Sequence, residues 1–272
     1  NDNTIKSGYN GIYAYLGYFG YYMNDNTPGH STLSMDDFEF CRNTINSSQY
    51  GFYFDDVEYF GAEIYNESSA SFNDFLINEN DITSIYAGIY LNDDLCAYIG
   101  YYIEDNATVT FGDIEVNYNT IVSDSEGMYL DYILYEAGYE SSGNSTVDIG
   151  HVQINWNDIE SDDDSIYVYE IGYVGSYLSD NSRFSMGDFE IQYNTMSSSS
   201  SEGLYLDYLE YVGYSIEDNS SVEFGSFIFS NNVIDSYSDG MYFYEIYEIG
   251  YDLSGNSTMS IDNFEFNNNL IT

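Results

Sequence analysis

The stretch Ser197–Phe243, "SSSSSEGLYLDYLEYVGYSIEDNSSVEFGSFIFSNNVIDSYSDGMYF", starts to repeat itself before it ends. Its "EGLYLDYLEYVGY" at 202 returns as "DGMYFYEIYEIGY" at 239. Outward from there, the Gly-apolar-Tyr triplet recurs as Gly11-Ile12-Tyr13, Gly51-Phe52-Tyr53, Gly88-Ile89-Tyr90, Gly127-Met128-Tyr129, Gly203-Leu204-Tyr205 and Gly240-Met241-Tyr242, with Ser165-Ile166-Tyr167 as the one variant. The steps are 40, 37, 39, 38, 38 and 37 residues. A fixed period of this size marks a solenoid or propeller, in which a unit buries its apolar face only by stacking on the next. Residues 1–272 therefore read as one repeat domain, with units starting near 11, 51, 88, 127, 165, 203 and 240.

Each unit alternates apolar and polar residues over short runs, as in Leu33-Ser34-Met35, Val109-Thr110-Phe111 and Val222-Glu223-Phe224, followed by runs such as Phe38-Glu39-Phe40 and Phe189-Glu190-Ile191. Period two over a few residues means strands with one buried face. No stretch carries a capped helical periodicity, so the unit is an all-β coil. The most regular column is Asn43, Asn80, Asn119, Asn157, Asn194, Asn232 and Asn269, preceded by Asn3. An Asn at an internal bend can bond its amide to the equivalent amide one coil away, and Asn tolerates the left-handed conformation that such bends use. Two residues later an apolar column, Ile5, Ile45, Ile82, Ile121, Ile159, Met196, Ile234 and Ile271, belongs in the core. Near-identical residues in every unit, and few Asn-Gly or Asp-Gly hairpin signals, favour in-register parallel stacking over propeller blades.

With Asn-x-Ile followed five to six residues later by Gly-apolar-Tyr, the repeat resembles that of right-handed parallel β-helix proteins along essentially the whole chain. The resemblance implies a β-helix of about seven coils with roughly 38 residues per coil, a length of about 34 Å at about 4.8 Å per coil. The coil is longer than is usual in that family, which places extra residues, such as those between Tyr13 and Asn26, on one side. The acidic, Tyr- and Asn-rich composition is similar to that of secreted surface and sheath proteins of archaea, methanogens in particular.

That composition sets 47 Asp and Glu against 3 Lys and Arg, a formal net charge of −44, with 34 Tyr among 272 residues. Charge alone would suggest disorder, but 43% hydrophobic and 19% aromatic residues can fill a core. So acidic a surface repels phosphate backbones and anionic headgroups, which argues against nucleic acid and membrane surfaces as partners. No run reaches the roughly 20 apolar residues of a membrane span, and Asn1 opens no basic signal region. The chain is expected to be soluble, and is either mature or a segment of something longer. Cys41 and Cys96 occupy different phases of the repeat, which argues against a stacked disulfide pair.

Four sets of candidate residues follow from the columns. The Asn column is expected to be a buried structural ladder. Tyr13, Tyr53, Tyr90, Tyr129, Tyr167, Tyr205 and Tyr242, each flanked by inward apolar residues, should form an outward stripe that stiffens the sheet or contacts neighbouring protomers. Asn66, Asn106, Asn144, Asn219 and Asn256 begin Asn-x-Ser/Thr sequons on one edge, with Asn46 a further candidate in another turn, so glycans are candidate partners. Asp37, Asp74, Asp113 and Asp188 form an acidic column suited to weak binding of Ca2+ or another cation, broken by His151, Ser226 and Asn263. A neighbouring column, Glu39, Leu76, Glu115, Gln153, Glu190, Ile228 and Glu265, alternates acidic with neutral residues and so limits self-repulsion. No resident cofactor is expected.

Catalysis on a β-helix needs residues unique to one coil. The basic residues are confined to Lys6, Arg42 and Arg183 in different units, and His30 and His151 are far apart in register. The expectation is a non-enzymatic structural subunit of an extracellular filament, sheath or surface layer. It would assemble head to tail with itself, with lateral contacts along the Tyr stripe. The alternative is a carbohydrate-binding adhesin or stalk.

Overall fold

The computed structural model describes residues 1–24, 30–55, 59–92 and 98–272. Among them there is no helix, and every paired strand runs parallel to its counterpart one repeat away. One coil shows the plan: Asp81–Ser84 on a first face, Ile89–Asn92 on a second, Tyr102–Ile103 on a third, Thr108–Phe111 on a fourth and Ile114–Glu115 on a fifth. The register is the repeat itself. Ile82 pairs with Ile45 and Ile121, Tyr90 with Tyr53 and Tyr129, and Glu115 with Leu76 and Gln153. The chain is a parallel β-solenoid of about seven coils.

Alternation decides which side chains go inside. On the second face Phe52 and Phe54, and then Ile89 and Leu91, are fully buried, while Tyr53 and Tyr90 between them lie half-buried on the outer side. Each such aromatic or aliphatic side chain contributes about 1.5–3 kcal/mol by leaving water, which lets so charged a chain stay folded. Interior residues of the apolar column, Ile45, Ile82, Ile121, Ile159, Met196 and Ile234, are all buried.

The bends are made by left-handed residues in columns. Glycines 20, 61, 100, 138, 175, 213 and 250 hold φ between 59° and 64°. The Asn bend was expected to use the Asn itself in that conformation. The left-handed residue is instead the one before it: Asp2, Arg42, Glu79, Tyr118, Trp156, Tyr193, Asn231 and Asn268, with φ from 55° to 61°. The Asn keeps an ordinary backbone because its N–H must point along the stack to the next amide.

Close approach explains the Gly-apolar-Tyr glycines. A Cβ at Gly88 or Gly127 would collide with the Cγ2 of Ile121 or Ile159 and with the carbonyl oxygen of the residue stacked next to it. The variant unit fits this account, because the register puts Ser165 against Met196, the one position in that column where an unbranched side chain replaces Ile. Ser165 is fully buried, and its hydroxyl lies 3.1 Å from that of Ser161.

The coils are not uniform in length on the second face. There Ile166–Gly172, Leu204–Glu210 and Met241–Tyr247 are seven-residue strands, where Ile12–Tyr15 and Phe52–Asp55 have four. Part of the Tyr13–Asn26 insertion, together with Pro28 and Cys96, lies outside the described residues.

Candidate functional site

The side-chain columns are the organising feature. In the Asn ladder, the backbone N–H and Nδ2 of Asn119 both donate to Oδ1 of Asn157, at 2.9 and 3.0 Å. Asn157 repeats the pattern onto Asn194 at 2.9 and 3.0 Å. The second Nδ2 hydrogen of Asn157 donates 2.8 Å to the Val116 carbonyl. The same bonds link Asn43, Asn80, Asn119, Asn157, Asn194, Asn232 and Asn269, and each amide from Asn80 to Asn232 uses its full donor and acceptor capacity.

The acidic column at 37 does related work. Oδ1 of Asp74 accepts the N–H of Asp113 at 2.8 Å, Oδ1 of Asp113 accepts that of His151 at 2.7 Å, and Oδ1 of Asp188 accepts that of Ser226 at 2.6 Å. Asp37 accepts more weakly, 3.4 Å from the Asp74 nitrogen. His151 takes the same part, with Nδ1 accepting the Asp188 N–H at 3.0 Å. These residues are backbone acceptors first, which a linear sequence does not reveal. Ligand atoms of His151, Asp188 and Glu190 also lie within 4.8 Å of one another, a His-carboxylate grouping confined to two coils.

The Tyr column is continuous from Tyr13 to Tyr242, with neighbouring ring centroids 4.8 to 5.5 Å apart. From Tyr13 to Tyr129 the rings are stacked, and beyond Tyr129 they tilt by 48° to 64°. A second aromatic column, not anticipated from sequence, joins Tyr18, Tyr59, Tyr98, Tyr135, Tyr173, Tyr211 and Tyr247. Its signal is a Tyr two residues before each bend glycine, as in Tyr59-Phe60-Gly61. Where Glu136 and Glu248 replace that Tyr, the preceding Tyr135 and Tyr247 supply the ring. A third row, Tyr118, Trp156 and Tyr193, stacks at 6.2 and 4.2 Å on the Asn bend. Burial and nearby carboxylates suppress phenol ionisation, pushing Tyr129 and Tyr205 up to about 12.

Between these rings lie carboxyls that also escaped the sequence reading. Glu170 and Glu210 are at most 9% exposed on the lengthened strands. Burial, reinforced by Glu210, pushes the Glu170 carboxyl well above the carboxylate range, and burial among the rings raises Glu136 to about 7. Asp164, in the stacked series Glu126, Asp164, Glu202 and Asp239, is raised by burial too, while the Ser201 hydroxyl lowers its neighbour Glu202.

Below about pH 3 the raised groups are neutral in the folded and unfolded chain alike. As pH rises, the unfolded chain ionises first and stability falls until the folded values, about 7 for Glu136, are passed. Thermal melts should show a midpoint lower by roughly 3–10 °C at about pH 8 than at about pH 5. A higher midpoint at the alkaline end would contradict this placement of the acids.

The sequons divide. Asn106, Asn144, Asn219 and Asn256 occupy one exposed turn column, in the left-handed conformation, with Asn144 and Asn256 donating along it at 3.4 and 3.3 Å. Asn66 was expected in that row, but the register aligns Glu67 with Asn106, so Asn66 sits one residue earlier and half-buried, bonded to Asn24. Asn46 was expected in a turn, yet it lies exposed within the strand Thr44–Ser47 because its neighbours Ile45 and Ser47 face inward. Cys41 is buried as a free thiol. Concavities such as the one lined by Tyr102, Glu104, Glu140 and Tyr177 are open surface grooves. No family model, curated protein or solved structure matches the chain.

Proposed function

We propose that the chain is a structural solenoid of an extracellular filament, sheath or surface layer, extended by coil-on-coil stacking and packed laterally through its tyrosine face. The observation that carries this reading is that each coil is completed by its neighbours. In the outermost coils the same groups are left half-used. Asn269 directs its N–H and one Nδ2 hydrogen away from the stack, and Asn3 presents an Oδ1 that accepts nothing among the described residues. Phe264, Phe266 and Ile271 are 42–51% exposed in core columns. Open strand edges and core cross-sections of this kind accept a further coil, whether from a second copy or from repeats of the same chain.

The carbohydrate-binding alternative is weaker on geometry. Sugars stack on ring faces, and from Tyr13 to Tyr129 those faces are spent on one another, leaving edges outward. Glycans on the exposed Asn column and cations on the acidic columns remain compatible with a surface-layer subunit and are part of the proposal.

Thr4–Ser7 and Leu270–Ile271 lie at the same phase of the first face. A second copy continuing the stack must therefore displace one of them. Sedimentation velocity should show little association at low salt, where the −44 charge repels, and concentration-dependent chains once salt or millimolar Ca2+ screens it. Removing residues 267–272 should strengthen the association. If both forms stay monomeric at high concentration under screening, assembly through coil ends is wrong.

A further inference from the structure

We propose that Tyr167, Asp207 and Tyr205 form an oxidative cross-linking site that joins two adjacent coils through a carbon–carbon bond between the two phenol rings. The inference stands apart from the assembly reading. It rests on a convergence within the Tyr column: the Tyr167 hydroxyl donates to Oδ2 of Asp207 at 3.1 Å and the Tyr205 hydroxyl to Oδ1 of the same carboxylate at 3.3 Å. The two ring centroids are 5.0 Å apart and the rings are inclined by 48°. With both hydroxyls drawn to one carboxylate, the ring carbons beside them are drawn together as well. All three side chains are half-exposed, open to electron transfer at the surface.

The chemistry requires an external one-electron oxidant acting twice. Each phenol gives up one electron to the oxidant and its hydroxyl proton to Asp207, which releases that proton to solvent before the second event. The two phenoxyl radicals then join at the carbons ortho to oxygen. The hydrogens on those carbons move to the oxygens and restore two phenols, so the net change is the loss of two electrons and two protons. A positioned base matters because burial and the adjacent carboxylate oppose prior ionisation of Tyr167, so electron and proton must leave together. Elsewhere in the column Tyr13 donates 2.7 Å to Asp55, but its ring is stacked on Tyr53 at 5.5 Å.

Ring proximity alone makes a different forecast, because Tyr129 lies 4.8 Å from Tyr167, closer than Tyr205. The dilute chain would be oxidised with a photogenerated ruthenium(III) complex, persulfate serving as terminal electron acceptor. It would then be digested with a protease that cleaves after acidic residues, and dityrosine peptides mapped by mass spectrometry. The expected product is a Tyr167–Tyr205 link, with a raised melting temperature for the linked chain. Asp207→Asn should lower its yield at least about tenfold, since the amide cannot take the proton. Tyr205→Phe should abolish it. A dominant Tyr129–Tyr167 link, scattered links or none in the unaltered chain would overturn the proposal even if a variant failed to fold. So would an unchanged yield in a folded Asp207→Asn chain.

Discussion

Replacing Asn157 by Ala is expected to destabilise the solenoid by about 3–5 kcal/mol, measured as a shift in denaturant midpoint. The side chain removed accepts from the backbone and amide of Asn119 and donates to Val116 and Asn194. Asn119 and Asn157 are at most 2% exposed, so water does not readily replace those partners. Each buried group left unmatched costs about 1–3 kcal/mol. Asn157→Asp should be no better, because the new oxygen would face the Val116 carbonyl and the Asn194 oxygen where a donor is needed. At the open edge, Asn269→Ala should cost only about 1 kcal/mol, since water can reach the groups it leaves. Equal effects at 157 and 269 would mean that the ladder is not a buried network.

The second large effect concerns the one unit that lacks the column glycine. Gly127→Ala should cost about 1–3 kcal/mol or more, because the added carbon meets both the branched Cγ2 of Ile159 and the Ser165 carbonyl. Met196→Ile is normally a mild exchange, but here it sets a branched side chain against Ser165 and should cost about as much. Adding Ser165→Gly should recover most of that loss and restore the combination found at Gly127 and Ile159. Thermal and denaturant unfolding of the three variants forms a double-mutant cycle with a predicted coupling of at least about 1 kcal/mol. Additive behaviour of Ser165→Gly and Met196→Ile would remove the steric explanation.

These two arguments show how much of the fold was legible in advance. The period, the parallel register, the Asn ladder column and the inward Ile column could be read because a solenoid writes its contacts as identical residues one repeat apart. Gly127 and Ile159 could be placed in their columns but not against each other, since that contact joins two faces of neighbouring coils. The left-handed bend residue was misplaced by one: composition pointed to Asn, whereas Tyr118, Trp156 and Tyr193 accept the strained backbone so that the Asn amides can align. Asn66 slipped from its column because a one-residue offset in a turn leaves the motif intact while changing which residue faces solvent. The backbone-accepting role of Asp74 and Asp113 depends on a carboxylate reaching over the next coil, a distance that no spacing rule records. Glu170 and Glu210 were hidden for another reason. They sit on strands that lengthen in three coils, where the two-residue alternation fails.

Cryo-electron microscopy of the chain at high concentration, with its charge screened by salt or Ca2+, tests the structural role most directly. Coil-on-coil assembly predicts rods longer than one chain, with an axial repeat of about 4.8 Å carried across the joints and the Asn column running through them. Single particles of about seven coils, with both terminal core sections facing solvent under every screening condition, would contradict it.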